Sequence, residues 1–213
     1  MTGLNTIICK RELPGSAFIL RFERNGLIFT PGQYIYVGIL GDDDRPYSIY
    51  SGIDDNYLEI LVKEVDNGNI SAKLKQLEPG EKVNVGNPCG SFTMESDILK
   101  ERNFWLIATG TGISPFHCFI RSFPILNYRI IHGIRYHYEA FDKEFYGKNY
   151  LCCTTGDSLC NFSGRVTDYL RAVKIDKSAF YYLCGNYNMI DDVYDLLTTN
   201  GIESNQIKTE GYF

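Results

Sequence analysis

The chain contains no run of about eighteen or more apolar residues, so no membrane-spanning helix is expected. Residues 1–10 lack the basic start, apolar stretch and small-residue cleavage site of a secretory leader, and a cytoplasmic location is the resulting expectation. His occurs only three times and no Cys-x-x-Cys pair is present, which leaves little to build a metal site, and none is expected. The closest cysteine group, Cys152, Cys153 and Cys160, does not have ferredoxin-type ligand spacing. Positive charge is also scarce: 21 Lys and Arg face 26 Asp and Glu, a net charge of −5, which excludes a general nucleic-acid binder. A local basic patch for an acidic protein partner remains compatible with that balance.

The 213 residues suit one large domain or two small ones. Aromatics are plentiful, with 16 Tyr and 13 Phe. The seven Cys are odd in number and lie mostly in apolar surroundings, which predicts reduced, buried thiols rather than disulfides.

Up to about Met94 the pattern is one of strands and turns. Residues 17–23, 33–40, 45–50 and 57–65 are rich in Ile, Val, Phe and Tyr. Pro31-Gly32, Gly41-Asp42-Asp43-Asp44, Asp54-Asp55-Asn56 and Glu78-Pro79-Gly80 separate or follow them as turn signals. Short strands so spaced predict a closed antiparallel barrel, interrupted by one helix over 71–77. Beyond a polar stretch at 95–103 the pattern changes. Strands are predicted at 104–108, 128–133, 150–154 and 179–184, and helices at 115–123, 166–173 and 188–199, the last closed by Asn200-Gly201. Alternating strand and helix implies a parallel sheet. The predicted organisation is an N-terminal antiparallel β-barrel domain, 1–97, and a C-terminal α/β domain, 98–213. A monomer is expected.

Three segments carry chemistry. Arg45-Pro46-Tyr47-Ser48 offers a forked donor for phosphate, a ring that stacks and a hydroxyl, the set a flavin requires. Strand alternation puts Arg45 and Tyr47 on one face and Ser48 on the other unless the strand bends. The same four residues also read as an edge strand with a surface Arg and a core Tyr. Gly68-Asn69-Ile70-Ser71 opens the first helix, where free N–H groups suit a phosphate, or simply cap the helix. Gly110-Thr111-Gly112-Ile113-Ser114-Pro115 joins a buried strand to a helix, a place where a dinucleotide can approach the backbone. It is neither Gly-x-Gly-x-x-Gly nor a Lys-bearing phosphate loop.

The order Arg-x-Tyr-Ser, Gly-x-Ile-Ser-x-x-Leu, Gly-Thr-Gly-x-x-Pro, Cys184-Gly185-Asn186 before a helix, and a Glu-x-Tyr-aromatic end resembles the ferredoxin/flavodoxin–NADP(+) reductase family, bacterial type. The resemblance spans nearly the whole chain. It implies FAD in the barrel domain and NADP, or NAD, in the α/β domain. It also implies site residues. Arg45 would bind the FAD pyrophosphate, Tyr47 would stack on the isoalloxazine, and Ser48 would bond near N5. Gly68, Ile70 and Ser71 would meet the FAD phosphates. Gly110, Thr111 and Gly112 would lie under the nicotinamide nucleotide. Cys184 would sit by the nicotinamide ring, or be a buried strand-end thiol. Tyr212 would cover the second flavin face and move for hydride transfer, and Phe213 would fold over the adenine.

One departure stands out. Where NADP-using relatives carry Ser-Arg after the strand at 150–153, this chain has Thr154-Thr155. Arg165 and Arg135 match other basic positions, and Lys174 or Lys177 would be substitutes for the missing one. The implied activity is hydride transfer from NADPH to FAD, then single electrons to ferredoxin or flavodoxin. The alternatives are an NADH-dependent flavin or oxygenase reductase and a non-catalytic flavoprotein relay subunit.

Overall fold

A computed structural model describes residues 3–65, 69–94, 99 and 102–212. The chain divides into two compact units, Met1–Met94 with Ser114–Pro124, and Glu95–Ile113 with Ile125–Phe213. Gly68, Phe213 and the expected boundary at 97/98 lie outside the described residues.

The first unit contains β1 (Gly3–Leu13), β2 (Ala17–Glu23), β3 (Tyr34–Gly38), β4 (Asp44–Ser48), β5 (Tyr57–Lys63), α1 (Asn69–Gln76) and β6 (Lys82–Val85). Its six strands pair antiparallel in the order β4-β3-β6-β1-β2-β5. A bridge between Ile49 and Ile60 joins the two edges and closes the sheet into the expected barrel. Paired residues on β2 and β5 fill it: Phe18 lies opposite Val62, Leu20 opposite Ile60 and Phe22 opposite Leu58, all in one core. Each such buried side chain contributes about 2 kcal/mol.

Helix α2 (Ser114–Ser122) belongs to this unit although it follows a strand of the other. Specific contacts hold it there. The His117 ring stacks on Tyr50 at 3.7 Å, and its Nδ1–H donates to the Tyr50 carbonyl at 2.6 Å. Arg121 donates to Asp55 Oδ1 at 2.8 Å and to the Tyr57 hydroxyl at 2.9 Å. Ser122 Oγ accepts the Ile53 N–H at 2.9 Å. No Cβ fits at Gly32, whose φ is +94° and where it would lie 2.7 Å from the Phe119 ring.

The second unit contains β7 (Asn103–Thr109), β8 (Asn127–Ile134), α3 (Lys143–Tyr146), β9 (Tyr150–Thr154), β10 (Phe162–Ser163), α4 (Val166–Ala172), β11 (Phe180–Asn186), α5 (Tyr187–Thr199) and β12 (Ile207–Tyr212). All six strands run parallel in the order β10-β9-β8-β7-β11-β12. Val166 and Leu170 of α4 and Met189, Val193 and Leu197 of α5 pack with Ile107, Ile131, Tyr181 and Leu183 of the sheet. Asn186 caps α5 by accepting the Asn188 N–H at 3.0 Å, and Gly201 with φ +84° ends it as expected. Among the described residues no helix is long and apolar enough to cross a membrane.

The expectation of reduced cysteines fails at one pair. Cys152 and Cys160 form a disulfide, with Cα atoms 5.5 Å apart. Their apolar neighbours suggested two buried thiols; the chain turning back after β9 brings them together. Cys118, Cys153 and Cys184 are free and buried, whereas free Cys9 is exposed.

Candidate functional site

Strand β4 presents Arg45, Tyr47 and Ser48 in the first unit. Arg45 is exposed, its guanidinium 3.6 Å from Asp43. Tyr47 is half-buried against the barrel core. Burial pushes its phenol up to about 12, with nearby Arg45 opposing, so the hydroxyl stays protonated and able to donate. Ser48 is buried, 5% exposed. An ion pair between Lys73 of α1 and Asp42 ties that helix to the turn before β4. Ile70 of α1 is a core residue, so only its backbone is available to a ligand. The Ser71 hydroxyl accepts the Val65 N–H at 3.3 Å. An exposed guanidinium, a neutral phenol ring and a hydroxyl on one strand fit a flavin dinucleotide.

In the second unit the expected residues collect at the carboxyl edge of the parallel sheet, where open α/β sheets take ligands. Gly110–Ile113 is a 3-10 turn after β7, and Gly110 adopts φ +53°. A Cβ on Gly112 would lie 2.4 Å from the Cys184 carbonyl oxygen, so this turn can sit against the end of β11 only with glycine there. Gly185 has φ +128°, and a Cβ there would lie 2.4 Å from Thr109 Oγ1. That hydroxyl accepts the Asn186 N–H at 2.9 Å and locks the ends of β7 and β11 together. Gly112, Cys184 and Gly185 are buried, so the glycines secure close packing of this turn against the end of β11, and the partly exposed Gly110 and Thr111 are what a nicotinamide nucleotide can approach.

Cys184 is fully buried; burial and Glu210 raise its thiol well above the usual range, opposed by a hydrogen bond from Tyr212. It is a protonated thiol, not a thiolate nucleophile. Tyr212 lies in β12, in register with Asn186.

Arg135 follows β8 and is exposed. Its N–H donates to Glu139 at 2.8 Å, and its carbonyl accepts the Gly156 N–H at 2.7 Å. The segments after β9 and β10 border an open depression of about 390 Å³ whose lining includes Thr154, Thr155, Ser158, Ser163, Arg165 and Asp157. Asp157 accepts the His137 N–H at 2.9 Å and its ring nitrogen at 3.0 Å, which together bring its carboxyl down to about 2. Asp168, also in the lining, accepts the Arg165 N–H at 2.9 Å. Lys174 and Lys177 precede β11 and so lie at the opposite, amino-terminal edge of the sheet; they do not join this group.

The family model for the oxidoreductase FAD-binding domain matches residues 8–94. The ferredoxin–NADP reductase of Azotobacter vinelandii is 28% identical over 95% of this chain and 92% of its own length. The toluate 1,2-dioxygenase electron transfer component of Pseudomonas putida is 27% identical over 91% of this chain, which spans 62% of that protein. A ferredoxin NADP+ reductase from Neisseria gonorrhoeae, solved with bound FAD and NADP, superposes with a TM-score of 0.88 at 19% identity, covering 100% of this chain and 99% of that one. Over most of its length the chain is similar to ferredoxin–NADP and flavodoxin/ferredoxin–NADP reductases at 24–28% identity. It is a flavoenzyme oxidoreductase, and its barrel is an FAD-binding domain.

One buried side chain of this site, His132, is absent from the sequence motifs. It lies in β8, fully buried. Its Nε2 is 2.8 Å from the Gly110 carbonyl, which only accepts, so Nε2 carries the proton. The Tyr150 hydroxyl donates to Nδ1 at 2.8 Å. The imidazole therefore holds the Gly110 turn in one neutral tautomer. The signal was one polar residue inside the apolar run Ile130-Ile131-His132. Burial pulls the His132 pKa down to about 4. The folded state thus resists a proton that the unfolded chain accepts below about 6.5. Stability is full above that value and declines as pH falls toward 4. A loss of about 2 kcal/mol is expected between pH 7 and pH 5 from this group. Urea unfolding at the two pH values measures it, and His132→Gln should remove that share of the slope; an unchanged slope would refute the assignment.

Proposed function

We propose that the chain takes electrons from NADPH onto FAD and passes them singly to a ferredoxin or flavodoxin. The observation that carries this reading is the pair of compact sites: Arg45, Tyr47 and Ser48 on one barrel strand, and the Gly110–Ile113 turn packed through glycine against the end of β11 at the carboxyl edge of the sheet. Bound FAD supplies the conversion from a two-electron to a one-electron carrier. Arg45 neutralises the pyrophosphate. Tyr47 covers a ring face, and Ser48 donates a hydrogen bond where electron density arrives. Ile70 and Ser71 offer backbone N–H groups, with Gly68, to the phosphates. Gly110, Thr111 and Gly112 support the nicotinamide nucleotide, and Cys184, buried behind that turn, keeps a small neutral thiol near the nicotinamide. Tyr212 covers the second flavin face and yields to the nicotinamide, and Phe213 folds over the adenine of FAD.

Arg165 and Arg135 are the cations for a 2′-phosphate, assisted by the Thr154, Thr155 and Ser163 hydroxyls. Both acids of the lining already accept hydrogen bonds, which favours NADPH. A second reading, NADH feeding an oxygenase, draws on Asp157, a carboxylate that stays ionised at the same rim. Anaerobic stopped-flow reduction of the FAD-loaded protein by equal NADPH and NADH separates them. Fast bleaching by NADPH alone supports the first, and by NADH the second. Arg165→Ala should raise KM for NADPH about tenfold and leave that for NADH unchanged; equal effects on both would remove Arg165 from phosphate recognition.

A further inference from the structure

The Cys152–Cys160 disulfide closes a short loop, with the two cysteines eight positions apart. The enclosed residues include Thr154, Thr155, Gly156, Asp157 and Ser158, which form one side of the depression. The opposite side is Ser163, Gly164, Arg165 and Asp168. Other bonds hold the first part of the loop: residues 152–154 of β9 pair with β8, the Thr155 and Gly156 N–H groups donate to the Ile134 and Arg135 carbonyls at 3.3 and 2.7 Å, and the disulfide ties back the far part that ends at Cys160. Thr154 Oγ1 donates to the Asp157 carbonyl at 2.9 Å, the Thr154 carbonyl accepts the Gly164 N–H at 2.8 Å, and Asp157 accepts from His137. At its base Asn161 accepts the Cys152 N–H at 3.0 Å. Cys152 is buried in the sheet, whereas Cys160 is partly exposed, which makes Cys160 the more accessible of the two.

We propose that Cys152–Cys160 is a thiol–disulfide exchange site that sets how tightly the depression holds the phosphorylated adenosine end of the nicotinamide nucleotide. The proposal rests on the reading of this depression as the adenosine subsite. In the oxidised state the loop is pinned at both ends, and the hydroxyls of Thr155 and Ser158 face the ligand at little ordering cost. Reduction requires a dithiol. Its first thiolate attacks Cys160 Sγ, the S–S bond breaks and Cys152 leaves as a thiolate that takes a proton. The second thiolate of the dithiol then displaces Cys160, which is protonated in turn. The protein gains two electrons and two protons, and the dithiol becomes a disulfide. The far part of the loop, residues 158–160, must then be ordered by the ligand itself, and affinity falls.

The test uses the full FAD-loaded chain in two states, air-oxidised and reduced with excess dithiothreitol that is then removed without oxygen. Alkylation under denaturing conditions, read by intact mass, should find two fewer reactive thiols in the oxidised state. Calorimetric titration with adenosine 2′,5′-bisphosphate should give a Kd about tenfold weaker in the reduced state. Cys152→Ser/Cys160→Ser should bind like the reduced form and ignore dithiothreitol. The wild-type comparison needs no substitution, so it stands even if that variant folds poorly. Equal thiol counts, or equal affinity in both states, would overturn the proposal and leave the adenosine-subsite reading intact. No binding in either state would overturn both.

Discussion

Replacing Ser48 with alanine is expected to slow anaerobic flavin reduction by NADPH about 100-fold while changing NADPH affinity less than about twofold. The residue ends β4 beside Tyr47, and it is 5% exposed. Its pairing with Tyr34 runs through the backbone ladder, which alanine preserves. The volume removed is one hydroxyl oxygen. The expected loss is in a hydrogen bond that strengthens as charge arrives. Stopped-flow absorbance at saturating NADPH reads the reduction step, and a denaturant titration confirms that stability is retained. Reduction at the parent rate would take Ser48 out of the mechanism.

The second large effect is expected at Gly185. Alanine there meets two independent penalties. The backbone sits at φ +128°, which side chains rarely adopt, and the new Cβ would lie 2.4 Å from Thr109 Oγ1 and 2.7 Å from the Thr109 carbonyl oxygen. Strain and overpacking together cost about 4 kcal/mol. Because the displaced atoms anchor Asn186 and the start of α5, nucleotide binding should weaken by more than about tenfold as well. The two penalties separate experimentally. Thr109→Ala removes the hydroxyl clash but not the backbone clash or the φ strain, so the double variant should recover only a minor part of the stability. Full recovery would show that the hydroxyl alone made glycine necessary.

Much of this architecture is legible in the chain. Strands at 17–23 and 150–154 coincide with β2 and β9, and the helix at 188–199 begins one residue earlier as α5. These segments are apolar with a clear period and bounded by turn residues. The strands not foreseen are β1, β6, β10 and β12. Lys208, Thr209, Glu210 and Gly211 give β12 almost no apolar signal; it forms because β11 offers a parallel edge. Of the candidate site, the short motifs pointed to Arg45, Tyr47, Gly110 and Gly112. They gave no hint of His132, which supports the Gly110 turn across 22 residues. Nor did they exclude Lys174 and Lys177, which only the strand direction places at the wrong edge.

Local chemistry is what the sequence by itself determined: which residues stack, donate or leave room for a ligand, and in what order a barrel and a parallel sheet follow one another. Only the tertiary structure decided which of them meet. Thr109 and Asn186 stand 77 residues apart yet share a hydrogen bond, α2 joins the barrel unit, and Cys160 finds Cys152 across a loop. Contacts of this kind depend on strand order and close packing, which periodicity does not encode.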